Sequence, residues 1–243
     1  MYQVYYCDFC KQGSMKLLNT EYFDGKTIMI CQDCSQNNPK CYFCTLPTNH
    51  KKLSKNFYIC HRCEKTSVTN PQKISNIFKK VRSDLAKLYK FEPNHHIDLI
   101  PISADKMQEM TRDLYISESN LTQMGLMSCQ YFSKMQNGRK KLVIKNCKIY
   151  FVEKMPEIML YETLAHELTH DYLRHNVGEI ANLTNEEGFC ELVASLYNDY
   201  RGKSFLNKRK EFNSDPVYGG GYRKMKQLFS QYKNLKSILP HLK

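Results

Sequence analysis

Several features that would assign a chain to a specialised class are missing from this sequence. It contains no tryptophan, no stretch of about 18 or more apolar residues and no block of about five charges of one sign. A membrane-spanning helix is therefore not predicted. The first residues, MYQVYYCDFC, also lack the basic and then apolar segments of a secretory signal. We expect a soluble, cytoplasmic protein without membrane contact.

Acidic side chains are scarce relative to basic ones. The chain has 36 Lys and Arg against 24 Asp and Glu, a formal net charge of +12. Such an excess is typical of proteins that bind nucleic acid or another acidic surface. The basic residues are dispersed, however, and we interpret most of them as solvated surface lysines. Nucleic acid is therefore a partner that the sequence allows but does not favour.

Cysteine is abundant and unevenly distributed. Eight of the 11 cysteines form four C-x-x-C pairs near the amino terminus, whereas Cys129, Cys147 and Cys190 are scattered. Repeated C-x-x-C pairs indicate zinc sites rather than disulfides, because the two-residue gap lets both sulfurs face one ion. Thiolates held by zinc also fit a reducing compartment.

The simplest grouping of these cysteines is sequential, with two structural zinc ions. An interleaved cross-brace stays open as the alternative. His50 and His61 could substitute as ligands, but each set already offers four sulfurs. The sequential sets are Cys7, Cys10, Cys31 and Cys34 for the first ion, and Cys41, Cys44, Cys60 and Cys63 for the second.

The chain divides into a small amino-terminal module, residues 1–66, and a larger domain, residues 67–243. The module has too few large apolar side chains to form a core, so metal binding would supply its folding free energy. Past it, apolar residues from Ile74 to Leu88 recur at helical spacing behind a cap at Asn70 and Pro71, and Pro93 bars continuation.

The larger domain alternates between strand and helix signals. HHIDLIPIS reads as a buried strand, DKMQEMTRDL as a short helix or loop, and CQYFSK, KLVIKN and KIYFVEKM as strands of a mixed sheet. A helix is predicted to begin near Glu157. A small sheet followed by helices indicates an α+β fold.

The segment LYETLAHELTHDYLRHN contains the pattern H-E-x-x-H. On a helix, His166 and His170 lie one turn apart on the same face and can bind one ion, while Glu167 is close enough to reach a water on that ion. A surface helix with two unremarkable histidines is the alternative. His175 lies on another face, and we expect it to be exposed.

A catalytic zinc site needs a third protein ligand and an open position. The downstream segment LTNEEGFCELVASLYNDY predicts a second helix that carries Glu186, Glu187 and Glu191 as candidates. A capping box of Thr184 with Glu187 is a purely structural alternative. A carboxylate one turn from the ligand would be placed to orient a histidine.

Three motifs together resemble a known family. LAHELTHDYLR, EEGFCELVASL and DPVYGGGYRKM resemble the peptidase domain of the LIM-containing, ubiquitin-activated growth-regulating peptidases of plants and their bacterial relatives. The resemblance covers most of the chain and implies a zincin-like, gluzincin-type metallopeptidase fold behind LIM-like zinc fingers. It also implies one catalytic Zn²⁺ bound by His166, His170 and Glu187, with Glu167 as catalytic base.

The chain departs from that family in two ways. Cys31 stands where a regular LIM module has histidine, and six residues separate Cys34 from Cys41, more than in a LIM module. The orientation of the two fingers is therefore open. We see no room for the ubiquitin-interacting helices of plant members, so we do not expect activation by ubiquitin to carry over.

The expected reaction is peptide hydrolysis. Zinc would lower the pKa of its water to about 7 and polarise the scissile carbonyl, and Glu167 would carry the proton to the leaving amine. Tyr218 or Tyr222, in a segment expected to be a flexible loop, would stabilise the oxyanion, with Arg223 as a further candidate and loop packing as the alternative. We expect an extended substrate to pair with the strand around residues 149–153.

The sequence thus predicts a zinc-dependent endopeptidase of protein substrates, whose zinc fingers contact substrates or a protein partner. One alternative is a DNA-associated metalloprotease of the SprT type, which the basic charge supports, although those enzymes use histidine as the third ligand. The other alternative is a non-catalytic zinc-binding scaffold.

Overall fold

A computed structural model describes residues 4–22, 25–91, 95–112, 123–136 and 139–243. In this part of the chain, two small cysteine-bearing modules precede a three-stranded sheet and a group of helices. The mixed α/β content matches the predicted fold class at that level. Among the described helices, none combines the length and apolar content needed to cross a bilayer.

The two cysteine modules share one local plan, in which short antiparallel strands lead into a helix of one to two turns. The first module contains strands β1 (Tyr5–Tyr6), β2 (Gly13–Ser14), β3 (Leu17–Glu21) and β4 (Thr27–Cys31) and helix α1 (Gln32–Asn37). The second contains strands β5 (Lys51–Lys52) and β6 (Tyr58–Ile59) and helix α2 (His61–Lys65).

The second module packs directly on the rest of the molecule. Its Phe43 is fully buried in the main apolar core, and the Thr66 carbonyl accepts from the Glu157 amide at 2.9 Å. The Asp105 carboxylate accepts hydrogen bonds from the Lys55 and Asn56 amides. These contacts cross the predicted domain boundary at residue 66, which stays a prediction.

Helix α3 (Pro71–Tyr89) confirms the helix predicted from apolar periodicity. The Asn70 side chain caps it by accepting from the Lys73 amide at 3.0 Å, and Pro71 occupies the first turn. Lys90, directly after the helix, adopts the left-handed conformation and caps its carboxyl end. Pro93, the predicted terminator, lies outside the described residues.

The sheet consists of strands β7 (Ile97–Ile102), β8 (Gly125–Gln136) and β9 (Arg139–Val152), in the order β7-β9-β8. Strand β9 runs parallel to β7 and antiparallel to β8. The segments KLVIKN and KIYFVEKM, predicted as two strands, form β9 together. The strand predicted to be buried, β7, is an edge strand with half of its residues partly exposed.

The predicted substrate-binding strand is wrong. Residues 149–152 lie in the central strand β9, where Ile149 is paired with Leu99 on one side and with Met127 on the other. A backbone paired on both sides has no hydrogen-bonding edge to offer. Only the outer strands, β7 and β8, present such an edge within the described sheet.

The helices pack against one another and against the sheet. Their bounds are α4 (Ala104–Thr111), α5 (Glu157–Asn176), α6 (Leu183–Tyr200), α7 (Asn207–Glu211) and α8 (Tyr218–Tyr232). Helix α5 begins at Glu157 as predicted. Helix α6 is capped by Asn182, which accepts from the Asn185 amide, and not by the capping box considered for Thr184.

The segment YGGGY, predicted as part of a flexible loop, begins helix α8. Glycine is needed there because α8 crosses α6 in direct backbone contact. A Cβ on Gly188 would lie 2.4 Å from the Gly221 carbonyl carbon, and a Cβ on Gly221 would lie 2.4 Å from the Thr184 oxygen. The glycines therefore allow close helix packing and do not supply a flexible hinge.

Truncation of a core residue of α5 tests this packing. Leu160 is fully buried, so Leu160→Ala should lower the free energy of unfolding by about 2–5 kcal/mol, measured by chemical denaturation with zinc present. Leu88→Ala, on the exposed side of α3, should cost less than about 1 kcal/mol. Equal effects of the two substitutions would contradict the assigned core.

Candidate metal centre

The histidines of the H-E-x-x-H pattern lie on the buried side of α5, facing α6. His166 and Glu167 are 7% and 3% exposed, and Glu187 on α6 is 2% exposed. Both helices are apolar around these residues, so the polar groups meet inside the protein. This burial excludes the interpretation of α5 as a surface helix with two unremarkable histidines.

Three predicted ligands converge between α5 and α6. The Nε2 atom of His166 lies 3.1 Å from Oε2 of Glu187, and Nε2 of His170 lies 3.8 Å from Oε1 of the same carboxylate. Donor atoms about 2.0–2.1 Å from a tetrahedral zinc lie about 3.4 Å from one another. The observed separations bracket that value, so the three side chains fit a zinc ion.

Each histidine is held through its other ring nitrogen. Nδ1 of His166 lies 3.1 Å from Glu191 Oε1, and Nδ1 of His170 lies 3.1 Å from Glu186 Oε1. A carboxylate at Nδ1 fixes the proton there and leaves the Nε2 lone pair for a metal. Glu186 and Glu191, the two competing ligand candidates, therefore occupy orienting positions.

A further donor lies close to the same place. The Cys190 sulfur is within 4.8 Å of ring nitrogens of both His166 and His170. Burial and the surrounding carboxylates raise the pKa of Cys190 well above its usual value. Glu187 supplies an oxygen at 3.1 Å from His166, and we regard it as the better-placed third donor.

The electrostatics of the centre favour a bound cation. Burial opposes protonation of His166, but hydrogen bonds to Glu187 and Glu191 outweigh it and raise the histidine pKa well above its usual range. For His170, burial also opposes protonation, but Glu187 and Glu186 outweigh it and raise the pKa of the imidazole. Carboxylates that stabilise a proton on an imidazole also stabilise a metal ion in its place.

A buried lysine on α7 completes the charge pattern. Lys210 contacts the carboxylates of both Glu191 and Glu162. Burial opposes the ionisation of Glu191, but Lys210 and His166 outweigh it and lower the Glu191 pKa. The chain Lys210–Glu191–His166 therefore holds the orienting carboxylate in its charged form.

Glu167 lies beneath strand β8 at the edge of the cleft. Burial raises its pKa. A Cβ added to Gly125 would lie 2.6 Å from Glu167 Oε1 and 2.6 Å from Thr163 Cγ2. Only glycine at this position lets β8 pass directly over the carboxylate.

Of the two predicted tyrosines, only Tyr218 is at the cleft. It lines the opening together with His166, Glu167 and Gln123, and its hydroxyl donates to Gln123 Oε1 at 3.2 Å. Tyr222 is 1% exposed and hydrogen-bonds Ser195 in the α6–α8 contact, so its predicted catalytic role is wrong. Arg223 bonds the Glu211 and Asn213 carbonyls instead. His175 is exposed, as expected.

The eight amino-terminal cysteines form two groups in the sequential order. In each group the four sulfurs lie within 4.8 Å of one another, and the sets are Cys7, Cys10, Cys31 and Cys34, and Cys41, Cys44, Cys60 and Cys63. Both groups could hold zinc. No cross-braced group occurs among the described cysteines, and neither His50 nor His61 joins a group.

The two cysteine groups share the same backbone support for thiolates. The amide of the third cysteine donates to the first sulfur at 3.3 Å, in Cys31 to Cys7 and in Cys60 to Cys41. Burial opposes ionisation of Cys7, but such backbone bonds lower its pKa to about 6. Lys11 and Thr45, each directly after a C-x-x-C pair, adopt positive φ and close the turn around the sulfurs.

Three residues of the centre were not found from the sequence. Gly125 and Lys210 lie far from the H-E-x-x-H pattern along the chain, Glu162 lies one turn before His166 on α5, and none of the three carries a motif of its own. A glycine at the start of a strand was the one available signal, since it indicates a close approach of the backbone to another group.

Comparison with known proteins gives one distant relative. Over 266 aligned positions the chain is 23% identical to Protein DA1-related 7 of Arabidopsis thaliana, and the alignment covers 82% of this chain and 46% of the relative. The chain therefore spans about half of that protein. No family model matches the chain. No solved structure matches it either.

Replacement of Glu187 tests the ligand set. Glu187→Gln should remove about one zinc ion per chain, measured by elemental analysis of the purified protein, because an uncharged amide binds zinc poorly. Glu186→Gln should weaken binding by about 10–100-fold through His170, and Cys190→Ser should leave the zinc count unchanged. Loss of the ion in Cys190→Ser with retention in Glu187→Gln would contradict the assignment.

Proposed function

We propose that this chain is a zinc-dependent endopeptidase that hydrolyses protein substrates. The observation that carries the proposal is the convergence of His166, His170 and Glu187 beside the buried carboxylate of Glu167. Hydrolytic zinc sites commonly use two histidines and a glutamate as ligands. A second carboxylate, which does not bind the metal, lies beside them. The family resemblance of the motifs and the distant similarity to Protein DA1-related 7 agree with this function.

The chemistry divides between the metal and the chain. Zinc, when bound, activates a water molecule and polarises the scissile carbonyl. Glu167 accepts the proton of the attacking water and passes it to the leaving amine. Burial raises the pKa of Glu167, which favours its acceptance of that proton. Glu186 and Glu191 keep the imidazoles oriented.

Strand β8 is the structural element best placed to bind an extended substrate. It pairs with β9 on one side only within the described sheet, and its first residue, Gly125, lies against Glu167. Gln123, Met124 and Gly125 line the cleft together with His166. A peptide that pairs with this edge would pass its backbone next to the metal ligands.

Tyr218 is our choice for the donor to the oxyanion. Its hydroxyl lines the cleft and is held by Gln123, the residue two positions before Gly125. The phenol has a single O–H, so donation to the charge that develops on the substrate oxygen requires that it exchange Gln123 for the substrate. The same cleft includes Arg209 and Lys210, whose charges would favour that negative oxygen.

The alternative functions have weaker support. A DNA-associated protease of the SprT type uses a third histidine ligand, and here the third group is Glu187. A non-catalytic scaffold has no need for a carboxylate buried at 3% exposure beside the metal ligands. The two cysteine modules would then serve the peptidase by contacting a substrate or a protein partner.

The role of Glu167 is tested by an isosteric change. Glu167→Gln should lower kcat by about 10²–10⁴-fold while the zinc count stays unchanged, because the amide cannot accept the proton. The measurement is cleavage of an unfolded protein substrate, read by mass spectrometry. Glu179→Gln, an exposed residue of the segment between α5 and α6, is the matched control and should retain full activity. Full activity of Glu167→Gln would rule out the mechanism.

The position of Glu167 is tested through strand β8. Gly125→Ala places a methyl group against the carboxylate, so Glu167 or the strand must shift. We expect kcat to fall by about 10²-fold with the zinc count and the fold retained. Gly220→Ala, where a Cβ meets nothing closer than 3.8 Å, should behave like the parent. Equal kcat values for the two variants would contradict the contact.

A further inference from the structure

A fourth group of ligating side chains lies beside α5, outside the candidate metal centre. Donor atoms of His95, Cys129, Cys147 and Asp171 are all within 4.8 Å of one another. They come from the segment before β7, from the two strands β8 and β9, and from α5. Asp171 directly follows the predicted ligand His170. Neither the sequence motifs nor the proposed function uses this group.

Two polar atoms of the group form a buried ion pair without a well-aligned hydrogen bond. Nε2 of His95 lies 3.2 Å from Oδ1 of Asp171, and Nδ1 of His175 lies 3.5 Å from the same oxygen. Asp171 is 1% exposed, and a carboxylate oxygen lies within 4.8 Å of both cysteine sulfurs. A buried carboxylate and imidazole that contact each other without a well-aligned hydrogen bond are suited to share a ligand.

A β-bulge lies directly beside the two sulfurs. The register that pairs Ser128 with Lys148 places Cys129 opposite Cys147, and the next pair is Gln130 with Lys145. Asn146, the extra residue on β9, adopts a positive φ of 51°. Bulges are frequent next to functional sites, and here both sulfurs lie within 4.8 Å of donor atoms of His95 and Asp171.

Cys129 and Cys147 form a disulfide in the structure. Its sulfurs are weak acceptors and add little to the contact between His95 Nε2 and Asp171 Oδ1. The same chain carries eight cysteines grouped for metal binding, which requires free thiolates and therefore reducing conditions. Under those conditions an accessible disulfide is opened, and Cys129 is half-buried rather than enclosed.

We propose that the reduced chain binds an additional divalent, thiophilic metal ion, of which zinc is the prime example, through His95, Cys129, Cys147 and Asp171. Two sulfurs, one imidazole nitrogen and one carboxylate oxygen form a complete four-donor set for zinc. The site is closed by protein ligands, so its role is structural. It ties β8 to α5 next to the contact between Gly125 and Glu167.

The disulfide and the metal site are two states of the same four residues. A thiol reductant such as glutathione gives two electrons to the Cys129–Cys147 bond, which becomes two thiols while two glutathione molecules become one disulfide. Zinc then replaces the two thiol protons, which pass to the solvent. Oxidation by glutathione disulfide reverses the sequence and releases the ion.

The experiment counts zinc in the full chain after reduction with glutathione and removal of loosely bound metal. The reduced parent should hold about one zinc ion more per chain than the double variant Cys129→Ser/Cys147→Ser. His95→Ala should show a lower zinc count or affinity than the parent. His96→Ala, which changes an exposed neighbour, is the matched control and should equal the parent.

Treatment with glutathione disulfide distinguishes the metal-bound state from the disulfide state. Glutathione disulfide should remove about one zinc ion from the parent and none from the double variant. Equal zinc counts in the reduced parent, the double variant and His95→Ala would overturn the proposal and leave a disulfide only. His95→Ala also decides the matter if the double variant does not fold, since it keeps both cysteines.

This inference can fail independently of the proposed function. In a Glu187→Gln background the catalytic ion is lost, and the difference between the intact and the Cys129→Ser/Cys147→Ser chains should remain about one zinc ion. That difference, together with no peptidase activity in the chain that keeps Glu187, would end the proposed function and support the site. Peptidase activity in the chain that keeps Glu187, without that difference in zinc count, would do the opposite.

Discussion

The contact between α5 and α6 is the interaction on which the rest of the structure depends. It buries two imidazoles and three carboxylates, His166, His170, Glu186, Glu187 and Glu191, at a place where isolated charges would be strongly unfavourable. Pairing each imidazole with carboxylates offsets part of that cost, and a divalent cation among them offsets more. Neighbouring elements support these buried charges. Gly188 and Gly221 let α8 pack closely behind Glu187, and Lys210 supplies the positive charge that keeps Glu191 ionised.

The amino-terminal modules have little apolar core of their own. Their strands are two to five residues long, and the first module has an apolar cluster of only a few buried residues, so zinc held by the clustered sulfurs would contribute the folding free energy that a hydrophobic core does not. The second module also joins the main core through Phe43. Loss of such an ion from the second module would affect the larger domain, because Phe43 packs among its side chains.

The sheet determines how the cleft is built. Strand β9 is central and therefore closed to further pairing, whereas β8 passes over Glu167 and keeps one edge available. A single strand thus limits the position of Glu167, the proposed base, and has the edge at which we propose that an extended peptide binds. The same strand pair holds Cys129 and Cys147 near Asp171 of α5, a few residues from that contact.

Local sequence patterns predicted the features that depend on residues close together along the chain. The C-x-x-C spacing indicated the zinc modules, helical periodicity gave α3 with its cap at Asn70, and H-E-x-x-H placed two imidazoles on one face of α5. The tertiary structure decided which groups meet across elements. It placed Glu187 between the histidines with Glu186 and Glu191 behind them, moved the free sheet edge from β9 to β8, and buried Tyr222 while leaving Tyr218 in the cleft. Strand order and helix crossing are set by packing between residues that are distant in sequence. No local motif in a single sequence encodes that packing.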